Sequence, residues 1–193
     1  MPKHHAMPIV LRKCYTIGMA LFDDIYEIAA DNYGLVTFAE VREIGGTSTQ
    51  LRRFIESGRL KRVGQGVYKL VKYIPTPYDQ YAQAVALVGP GSYIHGESVL
   101  AMHELALVNP FKMNVATPRR IRRNLPKWIA VVPADETEVP TCYEGIPSQS
   151  VENAIRFCRG RVMKERLVSA VKDAVYEGLI YEDAGKALLE ELG

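Results

Sequence analysis

Residues 37–58 read Thr37-Phe38-Ala39-Glu40-Val41-Arg42-Glu43-Ile44-Gly45-Gly46-Thr47-Ser48-Thr49-Gln50-Leu51-Arg52-Arg53-Phe54-Ile55-Glu56-Ser57-Gly58, and this stretch decides the fold of the first half of the chain. Thr37 is followed three residues on by Glu40, and Thr47 by Gln50. Each pair has the form of a capping box, in which a hydroxyl and a carboxylate or amide satisfy N–H groups left free at a helix start. Val41 and Ile44 supply the apolar face behind the first cap, and Leu51, Phe54 and Ile55 the face behind the second. Gly45-Gly46 breaks the first helix and Gly58 ends the second.

Upstream, Leu21, Phe22, Ile25, Ile28 and Ala29 recur at helical spacing, Gly34 stands where a stop is expected, and the short run Leu35-Val36 leads into the first cap. Downstream, Leu60-Lys61-Arg62-Val63, Gly64-Gln65-Gly66 and Val67-Tyr68-Lys69-Leu70 read as a hairpin with a glycine-bearing turn. Two helices with a tight glycine turn between them, followed by a two-stranded ribbon, describe a winged helix-turn-helix. Pro75 and Pro77 mark a stiff linker over 74–77. The expected organisation is a flexible leader over 1–18, a DNA-binding winged helix over 19–73, and a second domain over 78–193. Within the second domain a helix runs through Tyr81 to Leu87 and a buried helix through Ser98 to Leu107. Strands are expected over Lys112–Thr117 and Trp128–Val132, with two more helices through Leu167–Val175 and Asp183–Leu192. The fold class is therefore α+β, the second half mixing helices and strands.

The 193 residues are 48% hydrophobic and 24% charged, which excludes a disordered or collagen-like chain. No apolar run reaches the roughly 20 residues of a membrane helix. Lys3 and Arg12 near the start are not followed by a sustained apolar core, so no secretory signal is read there. Cys14, Cys142 and Cys158 stand far apart without a CxxC pair, as expected of buried or neutral thiols in a reducing cytoplasm. The net charge of +2 names no partner, but its distribution is uneven. Arg42 to Lys72 carries eight Lys or Arg against two acids, a local +6, so the rest of the chain sums to −4.

That basic segment holds the candidate DNA contacts. On the second capped helix the buried stripe leaves Ser48, Thr49, Gln50, Arg52 and Arg53 outward, and the first residues of a recognition helix reach base edges in the major groove. Thr49 and Gln50 have the hydrogen-bonding chemistry for this, while Arg52 and Arg53 suit guanine or phosphate. Arg59, Lys61, Arg62 and Gln65 of the hairpin suit the DNA backbone. The plainer readings are a solvated helix face and a charged edge that discourages strand pairing. Arg119, Arg120, Arg122 and Arg123 form the densest basic cluster, with six cations and no acid from Lys112 to Lys127. They read as a second DNA-binding arm, as a docking surface for RNA or an acidic protein, or as a loop whose charges pair with Asp135, Glu136 and Glu138.

Catalytic signals are weak. His95 and His103 would lie on one face of a helix running through both, but two turns apart, too far for one metal without a third element. His95-Gly96-Glu97 has the H-x-E of zinc deaminases without the P-C-x-x-C partner. Gly89-Pro90-Gly91-Ser92 lacks the ending of a P-loop, and no Gly-x-Ser-x-Gly elbow occurs. No cofactor is expected, and the chain reads as a non-enzyme. The rival readings are a nuclease-like enzyme targeted by the winged helix, and a protein-docking regulator.

From roughly Leu21 to Leu192 the chain resembles the AbiEi family of antitoxins from type IV toxin–antitoxin systems. The resemblance rests on Leu35 to Val41, on Leu51 to Gly58, and on Arg62-Val63-Gly64-Gln65-Gly66-Val67-Tyr68. In the second half it rests on Tyr93 to Leu105 and on Gly145-Ile146-Pro147 followed by a helix. Ala154 and Phe157 stand where family members often carry a Thr and an Asp. The resemblance implies a cytoplasmic autorepressor that binds inverted repeats in double-stranded operator DNA. It also implies an antitoxin whose functional partner is an AbiEii-type nucleotidyltransferase toxin, without a stable complex between the two.

Overall fold

The structure, a computed structural model, describes residues 9–193, with side chains from residue 20 onward. The chain divides between Thr76 and Pro77 into two compact units, and both mix helices with strands.

The first unit begins with α1 (Ile9–Ala30). Of the leader expected over 1–18, residues 1–8 lie outside the described residues. Residues 9–18 are already helical, so the first element starts well before Leu21. Leu21, Ile25 and Ala29, spaced by one helical turn, are buried and seat α1 on the core. After β1 (Leu35–Thr37) come α2 (Phe38–Glu43) and α3 (Ser48–Glu56). Both expected capping boxes form. Thr37 N–H donates to the Glu40 carboxylate at 2.7 Å while Glu40 N–H donates back to the Thr37 hydroxyl. Thr47 N–H donates to Gln50 Oε1 at 2.9 Å, and Gln50 N–H returns to Thr47.

The glycines close both helices in the same way. Gly45 N–H reaches Arg42 O and Gly46 N–H reaches Val41 O at 2.7 Å, the paired bonds of a Schellman turn. Gly58 and Arg59 repeat it on Ile55 O and Phe54 O. A Cβ on Gly46 would stand 2.5 Å from a Val41 methyl and 2.8 Å from its carbonyl, so no other residue lets the chain turn this tightly into α3. Past that turn, β2 (Leu60–Gly64) and β3 (Val67–Leu70) make the hairpin, and β3 also pairs with β1. All three strands are antiparallel, with Leu60 opposite Leu70, Lys61 opposite Lys69, and Val36 opposite Tyr68. A bulge between Arg62 and Gly64 precedes the Gln65-Gly66 tip. Leu21, Ile25, Val36, Val41, Leu51, Phe54, Leu60 and Leu70 share one core.

The second unit runs α4 (Asp79–Val88), β4 (Tyr93–Ile94), α5 (Glu97–Met102), β5 (Met113–Thr117), β6 (Ile129–Pro133), β7 (Thr141–Tyr143), β8 (Ile146–Ser148), α6 (Val151–Phe157), α7 (Lys164–Tyr176) and α8 (Glu182–Leu192). Its sheet has the order β6-β5-β4-β8-β7. The pairs β5·β6 and β4·β8 are parallel, and β4·β5 and β7·β8 antiparallel. The central strand β4 is only two residues long, and both are buried. Helix α4 packs on β4, β5 and β8; α5 packs on α6, and α6, α7 and α8 pack on one another.

The buried helix expected through Ser98–Leu107 is shorter than its apolar run. α5 ends at Met102, and Glu104, Ala106 and Leu107 adopt positive φ. Leu105 N–H returns to Leu100 O and Glu104 N–H to Ala101 O, a Schellman turn whose left-handed position is held by Glu104 instead of glycine. The stop therefore has no glycine to announce it, and Leu107 is left 85% exposed.

Candidate nucleic-acid interface

Helix α3 buries Leu51 and Phe54 against the core, so the residues opposite face solvent. Thr49 and Arg53, one turn apart, occupy the centre of that outer face and are exposed. Ser48 is exposed beside the cap. Arg52 also points out, its side chain 81% exposed, with Nε donating to Glu56 at 2.8 Å along the helix. Gln50 is half-buried, and its Oε1 accepts from both the N–H and the hydroxyl of Thr47. Only its amide NH₂ remains for another partner, which narrows the role the sequence assigns it.

On the hairpin, Lys61 and Arg62 are exposed, as is Gln65 at the tip. Arg62 Nε donates to Gly64 O at 3.1 Å, which ties the guanidinium to the bulge. Arg59 differs: its guanidinium lies 4.9 Å above the ring of Phe22, which in turn packs on Phe54. It therefore lies against the α1–α3 seam as well as presenting charge.

The arginine cluster of the second unit splits. Arg119, Arg120 and Arg122 are exposed. Arg123 turns inward: Nη2 donates to Val88 O at 2.7 Å, while its Nε is buried without a partner among the described residues. It neutralises the carbonyl end of α4, a structural role that corrects its expected place among the outward cations. The pairing with nearby acids, one of the readings open to this cluster, is absent among the described residues. Asp135 instead accepts from Thr137, and Glu138 from Gln149 and Asn153.

The two histidines do not share a helix. His95 follows β4 and is buried, its ring 4.3 Å from that of Phe157, whereas His103 caps the end of α5 over Tyr143 at 3.9 Å. Among the described residues no group of three His, Cys, Asp or Glu could hold a metal ion. Burial lowers the pKa of His103 from 6.5 to about 4 and also lowers that of His95. In the unfolded chain both imidazoles regain their ordinary value and bind protons first. Stability should thus fall as pH drops from about 6.5 towards 4, and His103→Phe should flatten that slope in urea melts. Of the thiols, Cys158 is buried and pushed up to about 12 by desolvation. Cys142 is exposed on β7, at the edge of the sheet. The side chain of Cys14 lies outside the described residues.

The geometry defines a protein of two α+β units, the first presenting cations on an outward helix face and on a hairpin. Residues 23–71 match the family model described as "Transcriptional regulator, AbiEi antitoxin". The AbiEi resemblance holds over this segment, which runs from within α1 through the end of β3. The AbiEi family is one of regulators and antitoxins. Among solved structures, the chain is similar to the crystal structure of the RV2827C protein from Mycobacterium tuberculosis. The two share 16% identity over 86% of this chain and 79% of that one, with a TM-score of 0.37. No curated protein matches the chain. No helix of the described residues is long and apolar enough to cross a membrane.

Proposed function

We propose that the first unit is a winged helix-turn-helix that binds double-stranded DNA, with α3 as recognition helix and β2–β3 as wing. Thr49 and Arg53 would meet base edges, with Ser48, Gln50 and Arg52 beside them. Lys61, Arg62 and Gln65 would hold the backbone, and Arg59 would brace the helix while adding charge. The observation that carries this reading is the outward face of α3. Thr49 and Arg53 stand opposite the buried Leu51 and Phe54, on a basic segment whose two acids are Glu43 and Glu56. In this reading the chain is a cytoplasmic autorepressor and antitoxin of a type IV toxin–antitoxin operon. The winged helix ends at residue 73, residues 74–77 form a linker, and residues 78–193 form the antitoxin domain. Its operator would contain inverted repeats, and its functional partner would be an AbiEii-type nucleotidyltransferase acting without a stable complex. Arg119, Arg120 and Arg122 would add accessory contacts to DNA, whereas Arg123 is held by Val88 O.

A footprint of the full chain on the promoter upstream of its own gene tests the reading. Protection of paired repeats is the expected result, and protection no better than on unrelated DNA would overturn it. The Arg52–Glu56 pair sharpens the test. Glu56 both neutralises Arg52 and presents a negative charge towards phosphate, so Glu56→Gln should tighten binding by roughly two- to fivefold at low salt, the range of an exposed ion pair. Titration by gel shift measures this directly.

A further inference from the structure

The second unit carries a cleft of about 660 Å³ that the DNA-binding reading does not use. It lies among His95 after β4, Asp135 and Glu138 in the β6–β7 loop, Gln149 after β8, and Asn153 and Phe157 of α6. The volume suits a small organic molecule. The lining holds two carboxylates and no lysine or arginine.

Glu138 is the centre of this arrangement. Gln149 Nε2 donates to its Oε2 at 2.9 Å, and Asn153 Nδ2 donates to its two oxygens at 3.0 and 3.2 Å. Both amides are themselves anchored: Gln149 Oε1 accepts from Gly96 N–H at 3.0 Å, and Asn153 Oδ1 from Arg156 at 3.2 Å. The half-buried carboxylate is thereby aimed by neutral donors, yet no cation pairs with it among the described residues. Arg156 is engaged with Glu152 and Glu191, and Arg161 lies over the ring of Phe157 at 4.6 Å. A carboxylate offers about four acceptor sites, so Glu138 keeps room for a further donor. His95, 7% exposed, lines the same cleft, and its Nδ1 has no partner among the described residues. Burial keeps that imidazole towards its neutral form, so it adds no positive charge. Gly96 secures the wall, because a Cβ there would fall 2.7 Å from the Phe157 ring and displace it.

We propose that this cleft binds a small organic cation, an alkylguanidinium or alkylammonium compound, with Glu138 as its counter-charge and His95 and Phe157 as its walls. A carboxylate held in place by amides, without a counter-ion, gains most from a ligand that brings one. Anionic ligands are disfavoured by Asp135 and Glu138 together. The inference stands independently of DNA binding, since none of these residues belongs to α3 or the hairpin.

The test is calorimetric titration of the full chain with 1-butylguanidinium and with n-butylurea, which has the same shape without the charge. The guanidinium compound should bind at one site per chain, and the urea roughly tenfold more weakly or less tightly still. Glu138→Gln should remove a similar factor from guanidinium binding. Because that substitution could disturb the β6–β7 loop, the side-chain amide resonances of Gln149 and Asn153 in the unaltered chain give a second readout. They should shift saturably with 1-butylguanidinium. Equal binding of the two compounds, no binding of the cation, or amide resonances that stay still would each overturn the proposal.

Discussion

On the proposed DNA-binding reading, Arg53→Ala should weaken binding to the upstream promoter by about 1–3 kcal/mol, roughly 5- to 150-fold, the range for a guanidinium that reads a guanine edge. The residue stands on the outer face of α3, opposite Leu51 and Phe54. Among the described residues nothing acidic pairs with it, whereas Arg52 is tied to Glu56. Arg53 thus enters an interface without first giving up an ion pair, and Arg52→Ala should cost less than Arg53→Ala. Lys61→Ala or Arg62→Ala acts differently. A phosphate contact carries no sequence choice, so each loss should weaken specific and unrelated DNA alike and lower the salt slope by about 0.9. Gel shifts at several salt concentrations separate the two behaviours. An unchanged midpoint for Arg53→Ala and an unchanged slope for Arg62→Ala would remove both residues from the interface.

Leu51→Ala should destabilise the first unit by about 2–5 kcal/mol in denaturant melts, the range for truncating a buried leucine. The side chain is 1% exposed and sits in the core with Val41, Phe54 and Leu60. It is also the residue that turns α3 so that Thr49 and Arg53 face out. A cavity there should loosen the seat of the helix, and on the proposed reading DNA affinity should fall with stability. The capping residue gives the milder counterpart. Thr47→Ala removes the hydroxyl that accepts from Gln50 N–H and should cost about 1 kcal/mol. It also releases Gln50 from the hydroxyl and should leave the core intact.

The first unit was largely legible because its signals are local. Thr37 with Glu40 and Thr47 with Gln50 lie three residues apart, and Gly45, Gly46 and Gly58 sit directly behind the helices they end. A helix whose caps are contiguous in sequence announces its own boundaries, and with them the direction of Thr49 and Arg53. The second unit was harder to read where a boundary lacked its usual residue. α5 stops at a turn carried by Glu104, and β4 is a central strand of two residues, too short for any alternation to show. Side-chain direction in the arginine cluster was equally hidden. Arg119 to Arg123 read as one patch, yet Arg123 turns in to the end of α4, because Val88 lies 35 positions away and is brought there by folding.

The chain's own order of residues was enough to set the capped helix pair, the glycine-tipped hairpin and the basic segment that runs through them, since each depends on neighbours a few positions apart. Tertiary structure alone decided which arginines turn inward, that His95 and His103 sit in different surroundings, and that Glu138 is clasped by Gln149 and Asn153 in a cleft it shares with a ring from α6. Those contacts join segments separated by a loop, a strand or a helix, and no periodicity along the chain encodes a distance across the sheet.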